Sequence, residues 1–172
     1  MLFRSFEKAK WFNHEWIKKM TVESLQLKVE AVFTTKGITG IEEEKLNKVI
    51  ELVKDRCTLL TDFYEQGCFF FETPSVYDEA AVKPKWDEAK KDYFDVLMGR
   101  YTDLQTWSTD EIEKVFKELA TEKNIKVGEL QMIFRVMLVG SKMGPGVFVI
   151  ATAIGKEETI KRIEKAINVF RN

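Results

Sequence analysis

The apolar residues of this chain recur at helical spacing, and with only three prolines among 172 residues the pattern admits an all-α fold and little else. Leu46, Val49, Ile50, Val53 and Cys57 share one face of one such helix. Ahead of it, Ala9, Trp11, Phe12, Trp16 and Ile17 put an aromatic stripe on a helix from about Glu7 to Met20. Thr21 is placed to cap a second helix, which carries Leu25, Val29, Val32 and Phe33 and stops at Gly37. Thr39 and Glu42 have capping-box spacing ahead of the third. A short helix over about Thr61 to Gln66 ends at Gly67.

After Phe69, Phe70 and Phe71, the stretch ETPSVYDEAAVKP reads as a connection and divides the chain into two tandem helical bundles, 1–72 and 73–172. In the second, Trp86 to Arg100 is expected to be helical, with Trp86, Ala89, Tyr93, Phe94, Val96 and Leu97 on its apolar side. Ser108 and Glu111 form another capping box before Ile112, Val115, Phe116 and Leu119. A helix from about Gly128 to Val139 ends at Gly140, and Val147 to Ile154 is expected to be a short buried helix stopped by Gly155. The last helix, Glu157 to Phe170, turns Ile160, Ile163, Ala166, Ile167 and Phe170 inward and Lys161, Arg162 and Lys165 outward.

Several functions lack the residues they need. There is no G-x-G-x-x-G, Walker loop or G-x-S-x-G elbow, and the single histidine, His14, leaves little material for Ser-His-Asp or Cys-His catalysis. His14 reads as a surface or packed side chain, and Glu42, Glu43 and Glu44 as a solvated first turn. With Cys57 and Cys68 the only cysteines, a structural zinc site cannot be filled, and the pair suits a reducing cytoplasm. The run Val147 to Ile154 is far short of the roughly 20 residues a membrane helix requires. Lys plus Arg total 27 against 28 for Asp plus Glu, so any nucleic-acid contact must use a local patch rather than a global field. Lys83, Lys85, Lys90, Lys91, Arg100 and Lys142 are candidates for phosphate contact, unless they are simply solvated. The chain reads as a soluble binding module.

The apolar segment after residue 134 is broken by Gly144, Pro145 and Gly146, which suits neither a membrane span nor a core strand and marks a loop between packed helices. Glycines there permit close backbone approach to a ligand, and Pro145 is suited to start the next helix. Two arginines stand off the apolar stripes. By the helical step, Arg56 lies about 80° from the centre of its stripe, and Arg135 roughly 130° from the stripe of Leu130, Ile133, Phe134 and Met137. The Arg135 guanidinium is therefore expected at the surface, facing solvent or a partner. A salt bridge within the chain or charge at a helix C-terminus would account for either arginine as well.

Three strings resemble one family. RVMLVGSKMGPG, Arg135 to Gly146, followed by IGKEETIKRIEKAI, resembles the end of bacterial-type glutamyl-tRNA synthetase, where Arg-x-x-Leu-Thr-Gly, Pro-Gly, Gly-Lys-Glu and Arg-Ile-Glu occur in turn. KAKWFNHEW, Lys8 to Trp16, resembles the Lys-x-x-Trp-x-Asn-x-x-Tyr pattern that follows that family's catalytic domain, and LVKDRCTLLTDF resembles the helix leading into its anticodon-binding bundle. The matches fall in the family's order. Val139 stands where the family has Thr, Trp16 where it has Tyr, and Gly144 replaces a residue that often carries a side-chain contact. Neither His-Ile-Gly-His nor Lys-Met-Ser-Lys-Ser occurs.

The resemblance implies an anticodon-binding α-helical cage, with 1–72 holding the end of the stem-contact region and the first bundle, and 73–172 the second. It implies that Arg56 reads the third anticodon base and helps reject glutamine tRNA, that Arg135 contacts the anticodon loop, and that Gly144, Pro145 and Val147 close around the bases. Catalysis, ATP and magnesium would belong to a domain outside this chain, and the region by itself is not expected to aminoacylate. The partners implied are the anticodon loop of glutamate tRNA and that catalytic domain, in the cytoplasm, with this region monomeric and away from membranes. The competing reading is a helical scaffold domain that docks a protein through Trp11, Trp16 and Phe69 to Phe71. Against it, most of these aromatics are expected to be core.

Overall fold

The structure, a computed structural model, describes residues 2–171, with side chains from Glu7 onward. Among the described residues the chain forms ten α-helices. The first four are α1 (Leu2–Lys19), α2 (Val22–Thr35), α3 (Glu43–Val53) and α4 (Asp62–Gly67). They are followed by α5 (Glu79–Val82), α6 (Glu88–Asp103), α7 (Thr109–Glu122), α8 (Val127–Val139), α9 (Val147–Ile154) and α10 (Lys156–Phe170). Short 3-10 turns extend α3, α4 and α5 at Lys54–Arg56, Cys68–Phe70 and Lys83–Lys85. The fold is all-α, as the spacing predicts. The chain divides into two compact units, Met1–Glu72 and Thr73–Asn172, of which Met1 and Asn172 themselves lie outside the described residues.

In the first unit α2 and α3 bury Leu25, Val29 and Phe33 with Leu46, Val49, Ile50 and Val53. Each such side chain contributes about 1.5–3 kcal/mol by leaving water. The Thr21 hydroxyl accepts from the Ser24 amide at 3.3 Å and caps α2. The expected box of Thr39 and Glu42 does not form: Gly37 and Gly40, at φ 91 and 68, carry the chain past Thr39, and Glu42 becomes the N-cap of α3 without a side-chain bond. Gly67 sits against the core of this unit, where a Cβ would lie 3.1 Å from Val49 and 3.3 Å from Phe33.

The second unit is built on aromatic rings. Phe116 stacks on Phe134 at 5.3 Å and meets Tyr93 and Phe148 edge-on at 5.4 and 5.2 Å. Two buried phenols tie α6 to α7, Tyr93 donating to the Phe116 carbonyl at 2.7 Å and Tyr101 to that of Ile112 at 3.2 Å. Burial pushes both phenols up, so they stay protonated as donors. Helix α6 starts later than expected, because the Asp87 carboxylate accepts from the Lys90 amide at 2.9 Å and fixes the cap there. Trp86 therefore precedes the helix, where it packs on Phe94 and Phe170, and Ala89 is exposed rather than apolar-facing. Ser108 caps α7 and Gly140, at φ 79, ends α8, as the sequence predicts.

Candidate nucleic-acid interface

The α8–α9 loop is built around Gly144, whose φ of 125 is open to glycine and strained for any other residue. Arg135, one turn before the end of α8, reaches over this loop. Its Nη1 donates to the Gly144 carbonyl at 3.3 Å and to the Pro145 carbonyl. Arg135 is half-buried, which corrects the expectation of a guanidinium at the open surface. The helical count places it off the core stripe, but the loop folds back over that flank and takes up its donors. Pro145 does not start α9 either: it is buried and precedes Gly146, the N-cap. Val147 is 4% exposed, so its side chain belongs to the core and only its backbone can face a ligand. The first amides of α9 have no intrahelical acceptor, and no side chain caps them.

The footing of this loop is fastened by the segment 73–78. The Asp78 amide donates to the Gly140 carbonyl at 2.8 Å, and Lys165 Nζ to the Pro74 carbonyl at 2.8 Å. Arg162, expected to face outward, is 1% exposed. Its Nε donates to Glu158 Oε1 at 2.8 Å and its Nη1 to the Leu138 carbonyl at 2.7 Å, supplying a donor to the end of α8. The Thr73 hydroxyl donates to the same Glu158 oxygen. Burial alone would raise the Glu158 pKa, but the hydrogen bonds from Thr73 and Arg162, with the Arg162 charge, outweigh it and hold the carboxyl below its ordinary value. The sequence signal for this pair was there to be read, since Glu158 and Arg162 are one helical turn apart.

Arg56 belongs to the first unit, where it is exposed on the 3-10 turn that extends α3. The residues that follow it are held from two sides. The Asp62 carboxylate accepts from the amides of Thr58 and Leu59, each at 2.8 Å. From α1, the Asn13 amide group donates to the Thr58 carbonyl and His14 Nδ1–H donates to the Cys57 carbonyl at 2.9 Å. His14 is thus a packed side chain. Burial, with the nearby Asp62 carboxylate, pushes the Cys57 thiol up to about 12, which leaves it unreactive at neutral pH. Of the sequence-derived candidates, Arg135, Gly144, Pro145 and Val147 are brought together in the second unit.

The expected phosphate patch is largely neutralised. Lys83 pairs with Glu79 at 2.8 Å, Lys90 with Asp87 at 2.6 Å, Lys91 with Asp95 at 2.7 Å and Arg100 with Glu122 at 2.5 Å. Lys142 approaches Asp78 at 3.7 Å, and Lys85 is exposed. The aromatics also divide differently from expectation. Phe69 and Phe70 are core at 7% and 2% exposed, whereas Trp11, Phe12 and Trp16 are 58%, 56% and 55% exposed. Among the described residues no helix is long and apolar enough to cross a membrane.

The chain belongs to the class of anticodon-binding modules: it matches the anticodon binding domain family over residues 5–167. More particularly, it matches the C-terminal third of glutamate–tRNA ligases. It is 35% identical over 164 residues to the glutamate–tRNA ligase of Flavobacterium johnsoniae, covering 95% of this chain and 32% of that protein. It is 34% identical to that of Phocaeicola vulgatus, covering 96% and 33%. A crystal structure of a glutamate tRNA ligase from Elizabethkingia meningosepticum, in complex with its amino acid, superposes with a TM-score of 0.86 at 35% identity, over 95% of this chain and 32% of that one. The chain thus spans about a third of the length of these relatives. A scaffold domain is not favoured by these matches, and two of its expected contact residues, Phe69 and Phe70, are core.

Proposed function

We propose that this chain recognises the anticodon loop of glutamate tRNA for a ligase whose catalytic domain, with its ATP and magnesium, lies outside these residues. The observation that carries the reading is the α8–α9 loop, shaped by Arg135 and set ahead of an uncapped helix N-terminus, in a member of the anticodon-binding family. Splayed bases are recognised by stacking and by hydrogen bonds to their edges. Gly144 and Gly146 let the backbone come close, and the first amides of α9 offer donors to a base edge or phosphate. The side chains of Pro145 and Val147 support the loop from the core side. Arg135 holds the loop backbone and presents its flank to the anticodon loop. Arg56, exposed and on a fastened turn, reads the third anticodon base and disfavours glutamine tRNA; a guanidinium can stack on a base and bond its edge at once. The setting is the cytoplasm, and the region acts as a monomer.

Titration of the chain with glutamate tRNA, against a tRNA differing in its anticodon, is expected to show preference for the first. Affinity should fall with added salt, with a modest slope because most of the candidate cations already have carboxylate partners. Equal affinity for the two tRNAs would refute anticodon reading. Arg56→Ala is expected to reduce discrimination at the third anticodon base by about 1–3 kcal/mol, the usual worth of an arginine–base contact. Unchanged discrimination in a variant that still binds tRNA would remove Arg56 from the site.

A further inference from the structure

The α8–α9 loop leaves a helix end that is held from outside at two points. The Leu138 carbonyl accepts from Arg162 Nη1 at 2.7 Å, and the Gly140 carbonyl accepts from the Asp78 amide at 2.8 Å. These acceptors bracket the last residue of α8 and the left-handed turn at Gly140. A chain held at one point pivots about it; held on both sides of a turn, it departs in one direction. Residues 140–146 then lead directly to α9. Both helices are seated on the Phe116 ring, α8 through Phe134 at 5.3 Å and α9 through Phe148 at 5.2 Å. Apolar packing of this kind is non-directional, so the course of the loop between the two helices depends on directional bonds at its root.

We infer that Arg162 is a positioning residue for anticodon recognition: bonded to Glu158 and to the end of α8, it sets the direction in which the α8–α9 loop departs, and with it the place where the backbone of Gly144 to Val147 meets RNA. The inference rests on the anticodon reading above and extends it to a side chain that, at 1% exposure, is too deep to touch a nucleotide. The guanidinium is planar, so the bond from Nε to Glu158 Oε1 at 2.8 Å and the bond from Nη1 to Leu138 together define one orientation of the whole group. Thr73 donates to the same Glu158 oxygen and holds the carboxylate in turn. A buried ion pair is a weak source of stability compared with apolar side chains of similar volume. What it supplies, and they do not, is direction. Binding groups must stand within about 0.5 Å of their productive positions to discriminate between partners, so a small turn of the loop at its root is enough to spoil recognition.

Arg162→Lys and Glu158→Gln separate position from stability. Lysine keeps the charge and the long stem but has no planar fork, so it cannot hold Glu158 and the Leu138 carbonyl in the arginine's geometry. Glutamine loses the charge and keeps an oxygen for Arg162 Nε. The full chain and each variant are titrated with glutamate tRNA and with a tRNA differing in its anticodon, at a temperature where circular dichroism shows each protein fully helical. Arg162→Lys is expected to bind glutamate tRNA about tenfold more weakly, the worth of one hydrogen bond to the RNA, and to lose preference to the same extent. Glu158→Gln is expected to bind like the parent while melting earlier. A merely structural role would move the melting of Arg162→Lys and leave the affinity of the folded chain alone, so parent-like affinity and preference in that variant overturn the inference. An equal loss in Glu158→Gln also overturns it, because binding would then follow the charge and not the geometry. If Arg162→Lys does not fold, Thr73→Val, at a half-buried position, takes its place: it frees the Glu158 oxygen and should weaken binding about threefold, and unchanged binding overturns the inference. A parent chain that binds the two tRNAs alike refutes the anticodon reading and this inference with it; a discriminating parent beside an equally discriminating Arg162→Lys refutes this inference alone.

Discussion

Gly140→Ala is expected to destabilise the second unit by about 3 kcal/mol or more, although it adds one methyl group. Left-handed backbone costs an L-residue roughly 1–2 kcal/mol, and Gly140 sits at φ 79. The larger part comes from crowding. A Cβ at this position would lie 2.4 Å from the Val76 carbonyl oxygen and 3.1 Å from Pro74 Cβ, so the segment 73–78 must move off the end of α8. That movement breaks the bond from the Asp78 amide to the Gly140 carbonyl, leaving a helix-terminal acceptor without its donor. Gly99→Ala is the control of opposite sign: it lies inside α6, where an added methyl carbon would meet nothing within 4 Å, and should gain up to about 1 kcal/mol from helix propensity. Thermal unfolding of the two variants beside the parent chain separates the cases. A Gly140→Ala protein that melts with the parent would mean that the 73–78 segment is not fastened there.

Glu158→Gln is expected to cost about 3 kcal/mol at neutral pH and to lower the melting temperature of the second unit by at least about 12 °C. The loss arises because the Arg162 guanidinium, at 1% exposure, loses the charge of the carboxylate to which its Nε donates. The pH dependence has a definite sign. Because Glu158 has a lowered pKa in the folded chain, its stabilising contribution is complete above the unfolded carboxyl value and is lost as pH falls through the lower folded one. The gap between parent and Glu158→Gln should therefore be widest near neutrality and shrink below about pH 4. Melting curves across that range decide it; a gap that stays constant would show that the carboxylate's charge contributes nothing.

The helices were legible because their information is local. Thr21, Ser108 and Gly140 carry cap chemistry that depends on a few neighbouring residues, and each does what its sequence setting implies. What was not legible depends on segments far apart in the chain. Arg162 looks like its neighbours Lys161 and Lys165, and its burial is favoured by Glu158, which Thr73 also holds, and by the α8 carbonyl end that reaches it from far along the chain. Arg135 was rightly placed off the core stripe, yet periodicity along one helix says nothing about a loop that returns to meet it. Trp11, Phe12 and Trp16 mark the limit most clearly: apolar spacing puts them on one helix without telling that the fold leaves them exposed. The lysines err the other way. Their carboxylate partners sit three or four residues away in Lys83, Lys90 and Lys91, and that spacing was readable as neutralisation.

If the proposed anticodon reading holds, the bonds from Arg135 to the carbonyls of residues 144 and 145 bear on how fast recognition proceeds. They form with the fold, before any RNA arrives, so the ordering of that loop does not have to accompany association. A binding surface that is already in its competent shape is fully available to each encounter, and no fraction of the population is held back in an incompetent form. On that proposed reading, arginine at this position governs the fraction of collisions that succeed. A chain without it would keep the same backbone donors but offer them only part of the time.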